Sequence, residues 1–286
     1  FSEVMKKIVV FTGTRAEYGL MKTLIKKLDK DKYFEFNLLI SASHLDSKFG
    51  NTIEEIKNDG IPTDFVLPID IDSNKKSDMS FQTSEVIKQV SISLEKLNPE
   101  YLIILGDRFE SFGAAAAGHL LGVKNIHLHG GETSLGALDD KLRHAISQLS
   151  TIHFTSAEIH KKKVEEMVGS SSKVFNIGPL VMDGFLNLQL LSKKDFQKRT
   201  GFVFSNKNFI VTFHPETLSA DFGISGLENL LKCLKDKNCN VLFTAPNADA
   251  GSDLVLKIIK DFINLNNNKY LFIPSLGQEL YLNALL

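Results

Sequence analysis

Several short stretches of this sequence set acid, base and cation side chains beside glycine or proline, the usual company of ligand-binding loops. Thr12-Gly13-Thr14-Arg15-Ala16-Glu17 joins a glycine, which lets the backbone approach an anion, to Arg15, which can hold a phosphate through two parallel N–H bonds. It lacks the lysine of a Walker loop and the spacing of a dinucleotide fingerprint; a turn with a solvated arginine reads it equally well. Ser41-Ala42-Ser43-His44 offers a loop histidine, a residue more often incidental than functional. Gly106-Asp107-Arg108 ends an apolar run with a carboxylate, where a general base or a hydroxyl acceptor would sit. As plain structure, Asp107 would instead cap the helix that follows, and neither Arg108 nor Glu110 decides between the two.

The densest stretch is His127-Leu128-His129-Gly130-Gly131-Glu132, followed by Asp139-Asp140 and Arg143-His144. In an extended strand His127 and His129 share a face, so a metal site with Glu132 as third ligand is one reading. The twin glycines favour close backbone approach to a ligand, and a sugar-binding acid/base loop is another reading. Asp139 and Arg143 are spaced to share a helical face, where they would form a stabilising pair. Last comes His214-Pro215-Glu216, in which proline stops a strand and exposes its flanks. His214 there can protonate or steady a leaving phosphate, and Glu216 beside it is a candidate substrate contact.

The elements that must hold these residues are legible as short apolar runs alternating with amphipathic stretches. Strands are predicted at 8–11, 36–40, 101–105, 125–129, 152–155 and 174–177, with helices over 17–28, 46–58, 86–97, 109–121, 139–149 and 159–168. Near-continuous apolar strands alternating with helices mean a parallel sheet covered on both faces, with right-handed crossovers, in a Rossmann-like domain. After a helical connection from Gly178 to Thr200, the alternation restarts with strands at 209–213, 241–244 and 270–273 and helices at 224–235 and 254–264. The expectation is an α/β chain of two Rossmann-like domains, 5–180 and 181–286, the second C-terminally truncated because the chain stops within a helical pattern at Tyr281 to Leu286. In such sheets ligands gather at the carboxyl ends of the strands, and each cluster above falls there.

Composition narrows the class. The 286 residues are 43% hydrophobic and 23% charged, with seven prolines, which excludes a disordered, collagen-like or disulfide-stapled chain. Lysine and arginine number 33 against 34 acids, a net charge of -1, so nothing favours nucleic acid or an anionic membrane as partner. Cys233 and Cys239 read as reduced, core-type thiols. No apolar run has membrane-spanning length and Phe1 to Lys7 has no signal-peptide pattern, so the expected location is the cytoplasm.

Taken together, the order GTRAEYG, SASHLD, GDRFE, HLHGGE, LDDKLRHAI, Ile177-Gly178-Pro179 and HPE resembles the UDP-N-acetylglucosamine 2-epimerase family, closest to the hydrolysing branch that opens sialic-acid and related nonulosonate synthesis. The likeness runs through nearly the whole chain. It implies a glycosyltransferase-B architecture with the nucleotide sugar between the domains and no metal or redox cofactor. It also implies elimination of UDP to a 2-acetamidoglucal, followed by hydration to N-acetylmannosamine. By resemblance, Asp107, Glu132, Asp139 and His214 are catalytic, whereas Arg15, His44, His129, Arg143 and Glu216 bind substrate; relatives are commonly homodimers. Many relatives carry glutamate at the position of His129, so either His129 or Glu132 takes the acid/base role. The family's C-terminal Ser/Gly-rich loop, with the glutamate that follows it, does not occur before Leu286.

UDP-N-acetylglucosamine is the leading substrate on this reading, with a UDP- or GDP-linked 2,4-diacetamido-6-deoxy sugar as its rival. A non-hydrolysing epimerase, a glycosyltransferase of the same fold, a nucleotide-sugar sensor and a metal hydrolase are the remaining alternatives.

Overall fold

The computed structural model describes residues 5–45, 52–69, 76–134, 138–169, 173–186, 188–247, 249–265 and 269–286. The first half alternates β1 (Lys6–Thr12), α1 (Arg15–Lys30), β2 (Phe34–Ser41), α2 (Ile53–Asn58), β3 (Phe65–Leu67), α3 (Lys76–Leu97) and β4 (Tyr101–Leu105). It continues through α4 (Phe109–Leu120), β5 (Lys124–Leu128), α5 (Asp139–Gln148), β6 (Ile152–Thr155), α6 (Glu158–Val168) and β7 (Lys173–Asn176). The seven strands form one sheet in the order β3-β2-β1-β4-β5-β6-β7, and every pairing is parallel.

Strand periodicity explains how that sheet is covered. Val9, Phe11, Leu39, Leu102 and Ile104 face α3, α4 and α5, where they meet Val86, Val90, Ala114, Ala117 and Ile146. The alternate residues Ile8, Val10, Leu38, Ile40, Ile103 and Leu105 face Tyr18, Met21 and Ile25 of α1 and Ile56 of α2. β1 lies between β2 and β4, so the chain departs in opposite directions from neighbouring strands, and a crevice opens beyond Thr12 and Leu105.

The connection holds α7 (Val181–Leu186) and α8 (Lys193–Thr200). β8 (Asn208–Thr212), α9 (Ile224–Asp236), β9 (Asn240–Thr244), α10 (Ser252–Asn264), β10 (Tyr270–Phe272) and α11 (Gly277–Leu285) then build a second parallel sheet in the order β10-β9-β8. Its own core joins Leu227 and Leu231 of α9, Val255 and Ile259 of α10, and Val241 and Phe243. The two sheet-bearing lobes meet where Phe222 and Ala250 pack on Met79, Phe109 and Leu142.

Most predicted elements match within a few residues, and the differences are physical. β3 is too short to show a period, and helix α2 occupies only the end of the predicted 46–58 span, of which 46–51 lies outside the described residues. β5 ends at Leu128, one residue before the predicted end, because His129 turns into the left-handed region at φ 61. Cys239 is buried as expected but Cys233 is exposed, and both are free thiols. No helix among the described residues is long and apolar enough to cross a membrane.

Candidate active site

The loops at the carboxyl ends of β1, β4, β5, β8 and β9 converge on a cleft of about 370 Å³, lined among others by Asp107, Arg108, His129, Glu132, Asp139, Arg143, His214 and Asp249. A neighbouring cavity of about 240 Å³ shares His214 and Asn247 and extends past Arg15 to Gln278 and Tyr281 of α11.

The loop after β1 departs from its expectation. Thr14 is the N-cap of α1, and Glu17 completes a capping box. Its carboxylate accepts the backbone N–H groups of Gly13 at 2.5 Å and Thr14 at 2.9 Å. The amides expected to cradle an external anion are therefore occupied by a carboxyl oxygen of the chain itself. Arg15, the first residue of α1, is half-buried and donates to the carbonyl of Pro274 beyond β10, so it spans the lobes. Burial lowers its pKa, opposed by Tyr281 and Glu55.

His44 is a correction. It is fully buried behind the cleft, with ring nitrogens 3.0 Å from the Thr12 hydroxyl and 2.7 Å from the Thr52 hydroxyl, and burial pushes its pKa down to about 3. It holds the loop after β2 against β1 and does not line the cleft. Asp46 of the SASHLD segment lies outside the described residues.

At the tip of β4, Gly106 adopts φ 79, a conformation suited to glycine. Its carbonyl accepts from Nε2 of His127 at 2.7 Å, while Nδ1 of the same ring lies 3.0 Å from the Ser147 hydroxyl. Both nitrogens of this buried ring are used, and burial, the largest influence, brings its pKa down to about 3. His127 and His129 thus share neither a strand face nor free lone pairs, which removes the geometric basis for the metal reading. No cluster of three metal-ligating side chains occurs among the described residues. Gly131, at φ 82, needs its missing Cβ because the carbonyl of His160 on α6 occupies that space. The expected close approach is to a helix.

Asp107 does not cap α4; Arg108 holds the N-cap position and makes no side-chain cap bond. Instead the Asp107 carboxylate accepts from Nη2 of Arg143 and from the Ser134 hydroxyl at 3.3 Å. Arg143, expected to pair with Asp139, turns the other way. It reaches Asp107, donates to the His129 carbonyl at 2.9 Å and lies 3.5 Å from Glu132. Glu132 also accepts from the Ser156 hydroxyl at 2.5 Å and lies 3.2 Å from Nδ1 of His129. Burial alone would raise the Glu132 carboxyl; the bonds from His129 and Ser156 and the nearby cations outweigh it and hold the pKa at about 2.

The same cleft holds a second cluster, which the residue-type reading left undecided. Arg108 is buried, forks both oxygens of Glu110 at 3.1 Å and reaches Asp249 of the second lobe at 2.7 Å. Burial pushes Glu110 up to about 7 in spite of Arg108, with Glu17 adding repulsion, and Glu17 itself is raised. Asp139, at the start of α5, is pushed up to about 7 by burial, with Asp249, Asp107 and Glu110 repelling its charge.

His214 follows β8 and lines both cavities. Its surface is open to the cleft while protein atoms crowd its other sides, so desolvation lowers its pKa, Asp249 opposing. Its Nδ1 is 3.5 Å from the amide of Asn247. Glu216 is exposed, packs beside Gly223 and does not line the cleft, where Pro215 and Thr217 point instead. Asp249, Ser134 and Ser156 went unread in the sequence. Asp249 and Ser156 follow strand ends, so the same rule of polar residues at strand tips would have found them.

Parallel sheets facing one another across a polar crevice define a two-lobed α/β protein of glycosyltransferase-B type. A sequence model of the family described as UDP-N-acetylglucosamine 2-epimerase matches residues 26–286, and the chain belongs to that family. Among its relatives is the GDP/UDP-N,N'-diacetylbacillosamine 2-epimerase (hydrolyzing) of Campylobacter jejuni, 33% identical over 281 residues, covering 98% of this chain and 73% of the relative. The polysialic acid biosynthesis protein P7 of Escherichia coli is 32% identical, with 97% and 71% covered. Among solved structures, UDP-GlcNAc 2-epimerase from Neisseria meningitidis bound to UDP-GlcNAc superposes with a TM-score of 0.76 at 21% identity, over 98% of this chain and 75% of the other. That last likeness carries the fold alone.

Proposed function

We propose that this protein is a hydrolysing 2-epimerase acting on a nucleoside-diphosphate 2,4-diacetamido-6-deoxy sugar. The observation that carries the reaction is the contrast across one cleft between Asp139, whose pKa of about 7 suits proton exchange at neutral pH, and Glu132, held ionised at about 2. The choice of sugar rests on the name of the Campylobacter relative and departs from the expectation of UDP-N-acetylglucosamine. The latter stays as the second reading, favoured by the polysialic acid protein at nearly the same identity.

In this mechanism a carboxylate, Asp139 or Asp107, takes the proton from C2 as the C1–O bond breaks and the nucleoside diphosphate leaves with its electron pair. The Arg15 guanidinium and the His214 ring, as a hydrogen-bond donor, are the groups at the cleft that steady the departing diphosphate. The resulting 2-acetamidoglucal then gains hydroxide from water at C1 and a proton at C2 on the opposite face, giving the free epimer. Glu132 and Arg143 orient rather than titrate in this scheme. The two sheets are read as two domains dividing near residue 180, with the substrate between them. UDP or GDP is the expected product partner.

The test is proton NMR in D2O with each sugar nucleotide in turn. Free nucleoside diphosphate together with a C2-deuterated epimer of the diacetamido sugar is the expected result. Turnover of UDP-N-acetylglucosamine alone would select the second reading, and retained UDP binding without turnover of either sugar would sink the enzyme assignment.

A further inference from the structure

His129 sits at φ 61, in the left-handed region where asparagine, aspartate and histidine are the common non-glycine residues. Each of its polar groups has a partner. Its N–H donates to the Phe154 carbonyl at 2.8 Å, its carbonyl accepts from Arg143 at 2.9 Å, and its Nδ1 lies 3.2 Å from Oε1 of Glu132. Its Nε2 accepts the backbone N–H of Leu180 at 3.2 Å. An N–H pointing at Nε2 requires the lone pair there, so the proton resides on Nδ1 and is given to Glu132.

Leu180 is where the chain leaves the seven-stranded sheet: it follows Gly178-Pro179, packs on the core beneath α1 and leads directly into α7. The ring therefore bridges a carboxylate in the cleft and the connection between the lobes.

We propose that His129 is a positioning residue for the reaction. As the Nδ1–H tautomer it clamps Glu132 to the Leu180 amide, and so ties the ion pairs of Arg143 with Glu132 and Asp107 to the segment that joins the lobes. It neither gives nor takes a proton in turnover. A ring that must accept from Leu180 and donate to Glu132 has no nitrogen left to face the sugar. The assignment deepens the 2-epimerase reading and rests on it, but its first test does not require turnover.

That test is 15N imidazole NMR of the histidine-labelled protein at pH 8. The expected spectrum has His129 as the Nδ1–H tautomer; the Nε2–H tautomer would overturn the proposal. The second test compares His129→Ala with His129→Asn, since asparagine tolerates the backbone and places an N–H donor near the position of Nδ1. Alanine should lower kcat about ten- to hundredfold, the size of one hydrogen bond to a charged group, with KM unchanged. Asparagine should recover most of that loss, and both variants should keep the wild-type limbs of the pH–rate profile. An asparagine variant as slow as the alanine variant, or the disappearance of a limb in either, would show that the ring itself transfers the proton. If the wild-type protein turns over neither sugar nucleotide, the functional reading fails while the tautomer still decides the clamp.

Discussion

The two arginine-centred clusters that line the cleft are built from the same residue types and behave oppositely. Around Arg143 the carboxylates are few and well served: Asp107 has a guanidinium and a hydroxyl, and Glu132 has a cation and two further hydrogen-bond partners. Around Arg108 a single guanidinium faces Glu110, Asp249 and, farther off, Glu17 and Asp139. Burial raises Glu110 and Asp139 to about 7, and the one guanidinium they share with other carboxylates does not offset it, whereas the hydrogen bonds and the cation at the half-buried Glu132 outweigh its burial and hold it at about 2. Depth of burial and the number of partners each carboxylate has, more than the kind of residue, set Glu110 and Asp139 apart from Glu132.

The strongest attempt to break this comparison is to remove the titrating group. Asp139→Asn should slow release of the nucleoside diphosphate by about 10²–10⁴-fold, the range for loss of a general acid or base. Its circular dichroism should stay native, and a near-normal rate would end its assignment. Asp107→Asn should be comparably slow, and leaves Arg143 with Glu132 as its remaining carboxylate partner. Next in size is His214→Ala, expected to raise the barrier to diphosphate loss by about 2–4 kcal/mol. An unchanged rate at saturating substrate would take His214 out of the chemistry.

The two clusters should also pull stability in opposite directions with pH. Glu110 has a folded pKa above its unfolded one, so its contribution is full below about pH 4 and is lost as pH rises through about 7. Glu132 has a folded pKa below its unfolded one, so its contribution is present above about pH 4.5 and is lost as pH falls toward 2. Glu110→Gln removes only the first dependence. Urea unfolding should show the variant gaining roughly 1–3 kcal/mol on the wild type between pH 5 and pH 8. A gap independent of pH would mean that Glu110 is ionised in the fold throughout that range. The smallest effect belongs to a residue of neither cluster. Glu216→Gln, exposed beside the cleft, should change turnover by less than about twofold and stability by less than about 0.5 kcal/mol; a large loss of affinity would place it on the substrate.

His44 and Asp139 mark where reading the chain succeeds and where it stops. Their positions beyond the carboxyl ends of strands were legible, His44 in the loop after β2 and Asp139 at the helix start after β5, because alternating apolar runs such as Ile8–Phe11 and Tyr101–Leu105 must become buried parallel strands. The ordered motifs also carried the family. What those residues do at the tips was not legible. His44 turns inward to two threonines, Arg143 chooses Asp107 over its helical neighbour Asp139, and Glu17 fills the amides of Gly13 and Thr14. Asp249 approaches Arg108 from the other lobe, 141 positions away along the chain. Local pattern determines which face of an element is apolar, and hence that the strands are buried in parallel sheets with the ligand side at their carboxyl ends. Burial and the sharing of a few cations among many carboxylates depend on distances through space, and only the packed tertiary structure decided which acid would titrate.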